Sequence, residues 1–135
     1  MKYLKVTLGL FAVTLCVSIF NVQAQVKELV DITIPMFSIE YMTKGTKATD
    51  SYQYIKKTKC KDDVSGDGRA ITAGLHETTG NANPNYDPAR VVATLNQDIK
   101  FDNNSRYMGS WNLYLRSQKA LPTTASFWGV WTLDK

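Results

Sequence analysis

Cysteine is nearly missing from this chain. There are two, Cys16 and Cys60, and Cys16 lies inside an apolar N-terminal run. A small exported domain commonly staples itself with disulfides, and a single remaining thiol cannot do so internally. Histidine is scarcer still, with His76 standing alone. The chain continues Glu77-Thr78-Thr79-Gly80, so no HExxH pattern forms and a tetrahedral zinc site lacks its ligands. No GxSxG elbow, P-loop or dinucleotide fingerprint is present. Beyond the N-terminal run, no long stretch keeps a helical apolar period. These absences leave neither a metal nor a cofactor to expect, no acid–base set for an enzyme, and a β-rich fold.

What is present begins with an address. Lys2 and Lys5 precede an apolar run over residues 6–20, and Val22-Gln23-Ala24 supplies small residues for a cleavage site. This is the layout of a signal peptide, expected to span 1–24. The run is short for a membrane span, which needs ~20 residues, and no second run follows. Leu15 before Cys16 is too bulky for a lipobox. Of 135 residues, removal of 24 leaves 111, enough for one domain over 25–135. The leader takes two Lys and no acid, so the charge falls from +4 to +2. That balance gives no basis for a nucleic-acid partner. The expectation is a secreted, extracellular protein with no membrane span after cleavage and an extracellular or cell-envelope partner.

The body reads as short strands. Val30, Ile32 and Ile34 alternate with Asp31 and Thr33, and Pro35 then marks an edge strand or a bend. Phe37, Ile39 and Tyr41 continue at period two, and residues 43–50 (TKGTKATD) read as a polar turn region. Tyr52 and Tyr54 share one face, with Gln53, Ile55 and Lys57 on the other. Ile71, Ala73 and Leu75 alternate with Ala70, Thr72, Gly74 and His76; the small second face suits close sheet packing or a ligand-facing groove, packing first. Residues 78–88 form the longest loop. Residues 90–95 and 98–101 read as one strand with an irregularity, and 106–116 and 125–133 as a terminal hairpin supplying the heaviest part of the core. The spacing predicts an all-β, small antiparallel β-sandwich of about seven strands.

Five features invite chemistry. Asp63-x-Ser65-x-Asp67-Gly68 resembles the start of a calcium loop, but the twelfth position is Gly74 instead of Glu, and a plain turn uses the same residues. Cys60 and His76 suggest a nucleophile and base, yet no orienting partner is evident; a buried inert thiol and a surface His are simpler. Lys56, Lys57, Lys59 and Lys61 form a basic cluster, read first as a solvated strand end and second as a contact for an anionic surface. Asp62 and Asp63 are adjacent, so their side chains point apart and make no glycosidase pair. The aromatics Trp111, Trp128 and Trp131 remain as candidate ligand contacts. Trp128 and Trp131 are three apart and face opposite ways on a regular strand, so one belongs to the core and the other can reach a ligand.

The final strand carries a resemblance. Tyr114-Leu115-Arg116-Ser117 and Ala125-Ser126-Phe127-Trp128-Gly129-Val130-Trp131-Thr132-Leu133-Asp134, closing on G-x-W-x-x-D, resemble small secreted β-rich proteins of Gram-positive bacteria. Some of these are of unknown function; others are bacteriocins of the lactococcin 972 type. The chain is longer than those bacteriocins and lacks their His-rich character. The resemblance implies secretion and a β-fold and transfers no site residues. Two functions follow as expectations: a non-enzymatic binding or interaction protein at or beyond the cell surface, or a bacteriocin-like antimicrobial acting on the envelope of competitors.

Overall fold

A computed structural model describes residues 24–37, 39–62, 69–78 and 85–135. The expected leader, apart from Ala24, lies outside the described residues, as do Asp63, Ser65, Asp67 and Gly68 of the candidate calcium loop. The described chain is all-β. Its strands are β1 (Val26–Ile34), β2 (Tyr41–Lys47), β3 (Gln53–Asp62), β4 (Ile71–Glu77), β5 (Tyr86–Val92), β6 (Asp98–Phe101), β7 (Gly109–Ser117) and β8 (Ala125–Thr132). They form two antiparallel four-stranded sheets, ordered β1-β8-β3-β6 and β2-β7-β4-β5. We name each sheet by its late central strand, β8 or β7. The arrangement is β-sandwich-like, with eight strands among the described residues where about seven were expected.

Both sheets face one core. From the β8 sheet come Leu29, Ile34, Ile55, Cys60, Phe101, Phe127 and Trp131; from the β7 sheet come Ile71, Ala73, Leu75, Val92, Trp111, Leu113 and Leu115. Alternation explains the assignment, since β7 and β8 each bury every second residue. The sheets approach closely at Gly45, where an added Cβ would lie 2.6 Å from the Leu133 side chain and 2.9 Å from the Trp131 ring.

Several sequence expectations are corrected. The terminal segments do not form a hairpin: β7 pairs with β2 and β4, and β8 with β1 and β3. Each has one buried and one partly exposed face, so each can sit at the centre of a different sheet, and residues 118–124 cross between the layers. Their weight in the core is as expected. Residues 90–95 and 98–101 also divide between sheets, because β5 pairs with β4 whereas β6 pairs with β3. The chain turns the corner at Asn96, whose φ is 57° and whose N–H donates to the Lys57 carbonyl at 2.7 Å. The strand β5 begins at Tyr86, inside the expected long loop, and tolerates Pro88 because it is an edge strand. Residues 43–47 belong to β2 and not to a turn. Conversely, the period-two run through Phe37 and Ile39 is a connection whose apolar side chains are exposed.

Edge placement of β1 and its end at Ile34, just before Pro35, agree with the proline reading. Its alternation is interrupted, however. The register shifts between Leu29 and Ile32, with Asp31 at φ 50°, which turns Val30 outward while Leu29 and Ile34 are buried.

Two buried ion pairs supplement the apolar core. Lys47 Nζ lies 3.1 Å from Asp134 Oδ1, with both side chains fully buried. Asp134 also accepts hydrogen bonds from the Ala48 and Thr49 amides and the Thr49 hydroxyl, and Lys47 donates to the Leu133 carbonyl. This clamps the C-terminus onto β2. At the opposite end, Arg69 Nε donates to Asp62 Oδ2 at 2.7 Å and its other nitrogens reach Ser117 and Thr123. Lys57, expected on a solvated strand end, is fully buried and donates to the Arg69 carbonyl at 3.1 Å. A third buried network runs from Trp131 Nε1 to Gln53 Oε1 at 2.9 Å, and from Gln53 Nε2 to the Ser105 carbonyl at 3.0 Å. Because these polar groups are buried, each bond removed would leave a desolvated partner costing ~1–3 kcal/mol.

Candidate functional site: a groove on the β7 sheet

The outward side chains of β4 are Thr72, Gly74 and His76, and they alternate with buried Ile71, Ala73, Leu75 and Glu77. The register with β5 jumps from Ala73–Arg90 to Leu75–Asp87, so Pro88 and Ala89 both oppose Gly74. This is a β-bulge on an edge strand, where a proline disturbs the ladder least. On the other side Gly74 pairs with Tyr114 of β7. Gly74 therefore leaves a gap in the side-chain layer between Tyr114 and the bulge. The result is a groove of about 320 Å³.

Its walls are polar and aromatic. The His76 and Tyr114 rings lie 6.5 Å apart between centroids, inclined at 48°. Asn112 Nδ2 donates to the Tyr114 hydroxyl at 3.4 Å. Tyr86 pairs with His76 across the β4–β5 ladder and is exposed. At the far end Arg116 and Glu40 approach to 3.9 Å, both partly exposed, giving a donor group and an acceptor group side by side. The supporting structure is buried. Glu77 Oε2 accepts from the Asn85 amide and from Asn85 Nδ2, which closes the β4–β5 pair. Asp87 Oδ2 accepts from the Asn103 and Asn104 amides at 2.9 and 3.1 Å, tying β5 to the turn after β6. The groove can hold a small ligand by ring contact along its length and by hydrogen bonds at its end.

The sequence-derived candidates fall in different places. Trp111 and Trp131 are fully buried in the core, so their ring area goes to packing. Trp128 is half-buried on the outer face of the β8 sheet, beneath Lys59 Nζ at 4.7 Å. The opposed orientation of Trp128 and Trp131 is as expected. Cys60 is buried on the inner face of the β8 sheet, whereas His76 points outward from the β7 sheet. A whole strand layer separates them, so they do not form a nucleophile–base pair. Among the described residues no group of three or more His, Cys, Asp or Glu could hold a metal, and no helix is long and apolar enough to cross a membrane. The small face of β4 allowed close packing, the first expectation, or a groove; nothing signalled the bulge at Pro88 that opens the groove, because residues 78–88 carry no strand pattern. No protein-family model, curated protein or solved structure matches this chain.

Proposed function

We propose that this chain is an exported, non-enzymatic binding protein that acts at or beyond the cell surface and holds a small polar ligand over Gly74. One observation carries the reading: the outer layer of the β7 sheet is open at a glycine and rimmed by His76, Tyr114, Tyr86, Arg116 and Glu40. A face used only for packing or solubility has no need of such a gap. The N-terminal signal pattern supports the exported setting.

The test uses the chain from Gln25 onward. Chemical-shift titrations with neutral sugars, amino sugars and short peptides should move resonances of Gly74, His76 and Tyr114. Gly74→Leu, which fills the groove from the solvent side, should abolish those shifts while leaving the melt cooperative. Shifts spread over both sheets, or unchanged in Gly74→Leu, would overturn the assignment.

A second reading, a bacteriocin-like protein acting on competitors' envelopes, has its own observation. Met36, Phe37 and Ile39, in the single connection between β1 and β2, are 44%, 52% and 61% exposed. Phe37 holds a φ of 60°, pinned by its N–H donating to the Leu121 carbonyl. Large apolar side chains held outward suit an envelope target. Spotting the protein on bacterial lawns, with Phe37→Ser as the control, tests this reading: clearing by the native protein alone favours it.

A further inference from the structure

The outer face of the β8 sheet carries a series of lysines that the groove lacks, and it is assembled by two bulges. In β3 the register slips between Lys57 and Lys59. Without the slip, Lys59 would follow Ile55 and Lys57 onto the inner face. With it, Cys60 turns inward and Lys59 and Lys61 join Lys56 and Tyr54 outside. In β1 the slip beyond Leu29 falls opposite the same Trp128–Gly129 step of β8. Trp128 thus lies between two bulged strands, with Lys59 as its register partner.

Three lysines lie over rings here: Lys59 at 4.7 Å from the Trp128 centroid, Lys100 at 3.9 Å from Tyr52 and Lys135 at 4.4 Å from Tyr54. Lys56 and Lys61 extend the series along β3, with Lys56 3.3 Å from Asp98. Neighbouring cations on this strand repeat about every 7 Å, and ladders lie about 4.8 Å apart. Cation–π contacts hold the ammonium groups close to the sheet, where each still has N–H donors to offer.

We propose that this face is a second binding surface, distinct from the groove, and that its occupant is an extended acidic polysaccharide. Regularly spaced, individually weak cation sites gain affinity only from a polyvalent chain whose anions repeat along it. A sugar polymer bearing carboxylates or sulfates meets that need, and its ring edges can contact Trp128 and Tyr54. Single-stranded nucleic acid fits less well, because base stacking requires open ring faces and these carry lysines. A lipid surface fits less well too: the exposed apolar residues on β1 of this sheet, Val26 and Val30, are short, and Met36, Phe37 and Ile39 sit in the β1–β2 connection instead of among the lysines.

The test is titration of the chain from Gln25 onward with polygalacturonate, dextran sulfate, uncharged dextran, a deoxythymidine oligomer and phosphatidylglycerol vesicles. Both acidic polysaccharides should bind, more weakly as salt rises, and uncharged dextran should not. The double variant Lys59→Gln/Lys61→Gln should bind about tenfold more weakly. Lys44→Gln/Lys119→Gln, which removes the same charge elsewhere, should bind as the native protein does. Trp128→Phe should erase the accompanying change in tryptophan emission, and Gly74→Leu should retain binding. Equal losses in the two double variants would reduce the effect to net charge and overturn the site. So would absence of binding at low salt, equal binding of uncharged dextran, or tighter binding of the oligomer or vesicles.

Discussion

The two sheets are built alike inside and unlike outside. Each has a late central strand with a buried tryptophan, Trp111 in β7 and Trp131 in β8, and each has a glycine on that strand or its neighbour. In the β8 sheet the glycine, Gly129, is sealed in: an added Cβ would lie 2.5 Å from the Lys56 carbonyl and 2.7 Å from the Phe127 ring. In the β7 sheet the outer-face glycine, Gly74, is open, unlike Gly45 on the inner face: the nearest atoms to an added Cβ at Gly74 are Ala89 Cα and Cβ, both at 3.8 Å. One glycine is required by packing, whereas the other leaves a groove. Equal composition therefore carries different meaning according to which face of the sheet the residue occupies.

The largest effect should come from removing one sheet's centre. A chain ending at Leu121 lacks β8, the strand that joins β1 to β3. The β8 sheet would lose its centre, not merely its edge, and the β7 sheet would lose its cover. Circular dichroism should show no cooperative melt; a melt like that of the full chain would mean the β7 sheet stands alone.

Next in size is the clamp at Asp134. Asp134→Ala strands the buried Lys47 ammonium, which should cost about 3–5 kcal/mol by denaturant unfolding. Lys47→Met with Asp134→Leu should recover part of that loss. The clamp also predicts a pH dependence. Burial alone would raise the carboxyl of Asp134, but hydrogen bonds from Thr49, the Ala48 and Thr49 amides and Lys47 outweigh it and hold it below its ordinary value of 3.8. A carboxylate lowered by folding stabilises fully above its unfolded pKa and loses that contribution as pH falls through the folded one. The difference in Tm between native protein and Asp134→Ala should thus be constant above about pH 5 and shrink below about pH 4.

The two glycines give the finer contrast. Gly129→Ala should destabilise by roughly 1–3 kcal/mol, since the Lys56 carbonyl and the Phe127 ring must both move. Gly74→Ala should change stability least, with a gain of up to about 1 kcal/mol from lower chain entropy in the unfolded state. It should still weaken any ligand held in the groove. Equal destabilisation by the two substitutions would mean that Gly74 is as closely packed as Gly129.

How far the sequence is legible differs by element. Faces of β4, β7 and β8 could be read from alternation, because large apolar residues such as Ile71, Leu75, Trp111, Leu113, Phe127 and Trp131 recur at period two on their inward side. Strand β2 could not, since its inward positions include Gly45 and Lys47, and a lysine becomes an inward residue only when a partner such as Asp134 arrives from the far end of the chain. Lys57 hid in a basic cluster for the same reason. The groove was less legible: small residues on β4 pointed first to close packing and second to a groove, and the opposing bulge at Pro88 depends on pairing that no local pattern records.

Local pattern alone was enough for the β-class, the tryptophan-rich weight of the last two strands, the opposite facing of Trp128 and Trp131, and the choice between an edge and a bend at Pro35. These follow from local periodicity and backbone chemistry, which a strand carries with it. Which sheet each strand joined, which lysines were buried and where the bulges fell came from long-range packing. Pairing and register are properties of two strands at once, and among the described residues β4 and β5 are the only consecutive strands that pair with each other. Nearly every partner is therefore distant in the chain, beyond the reach of any local pattern.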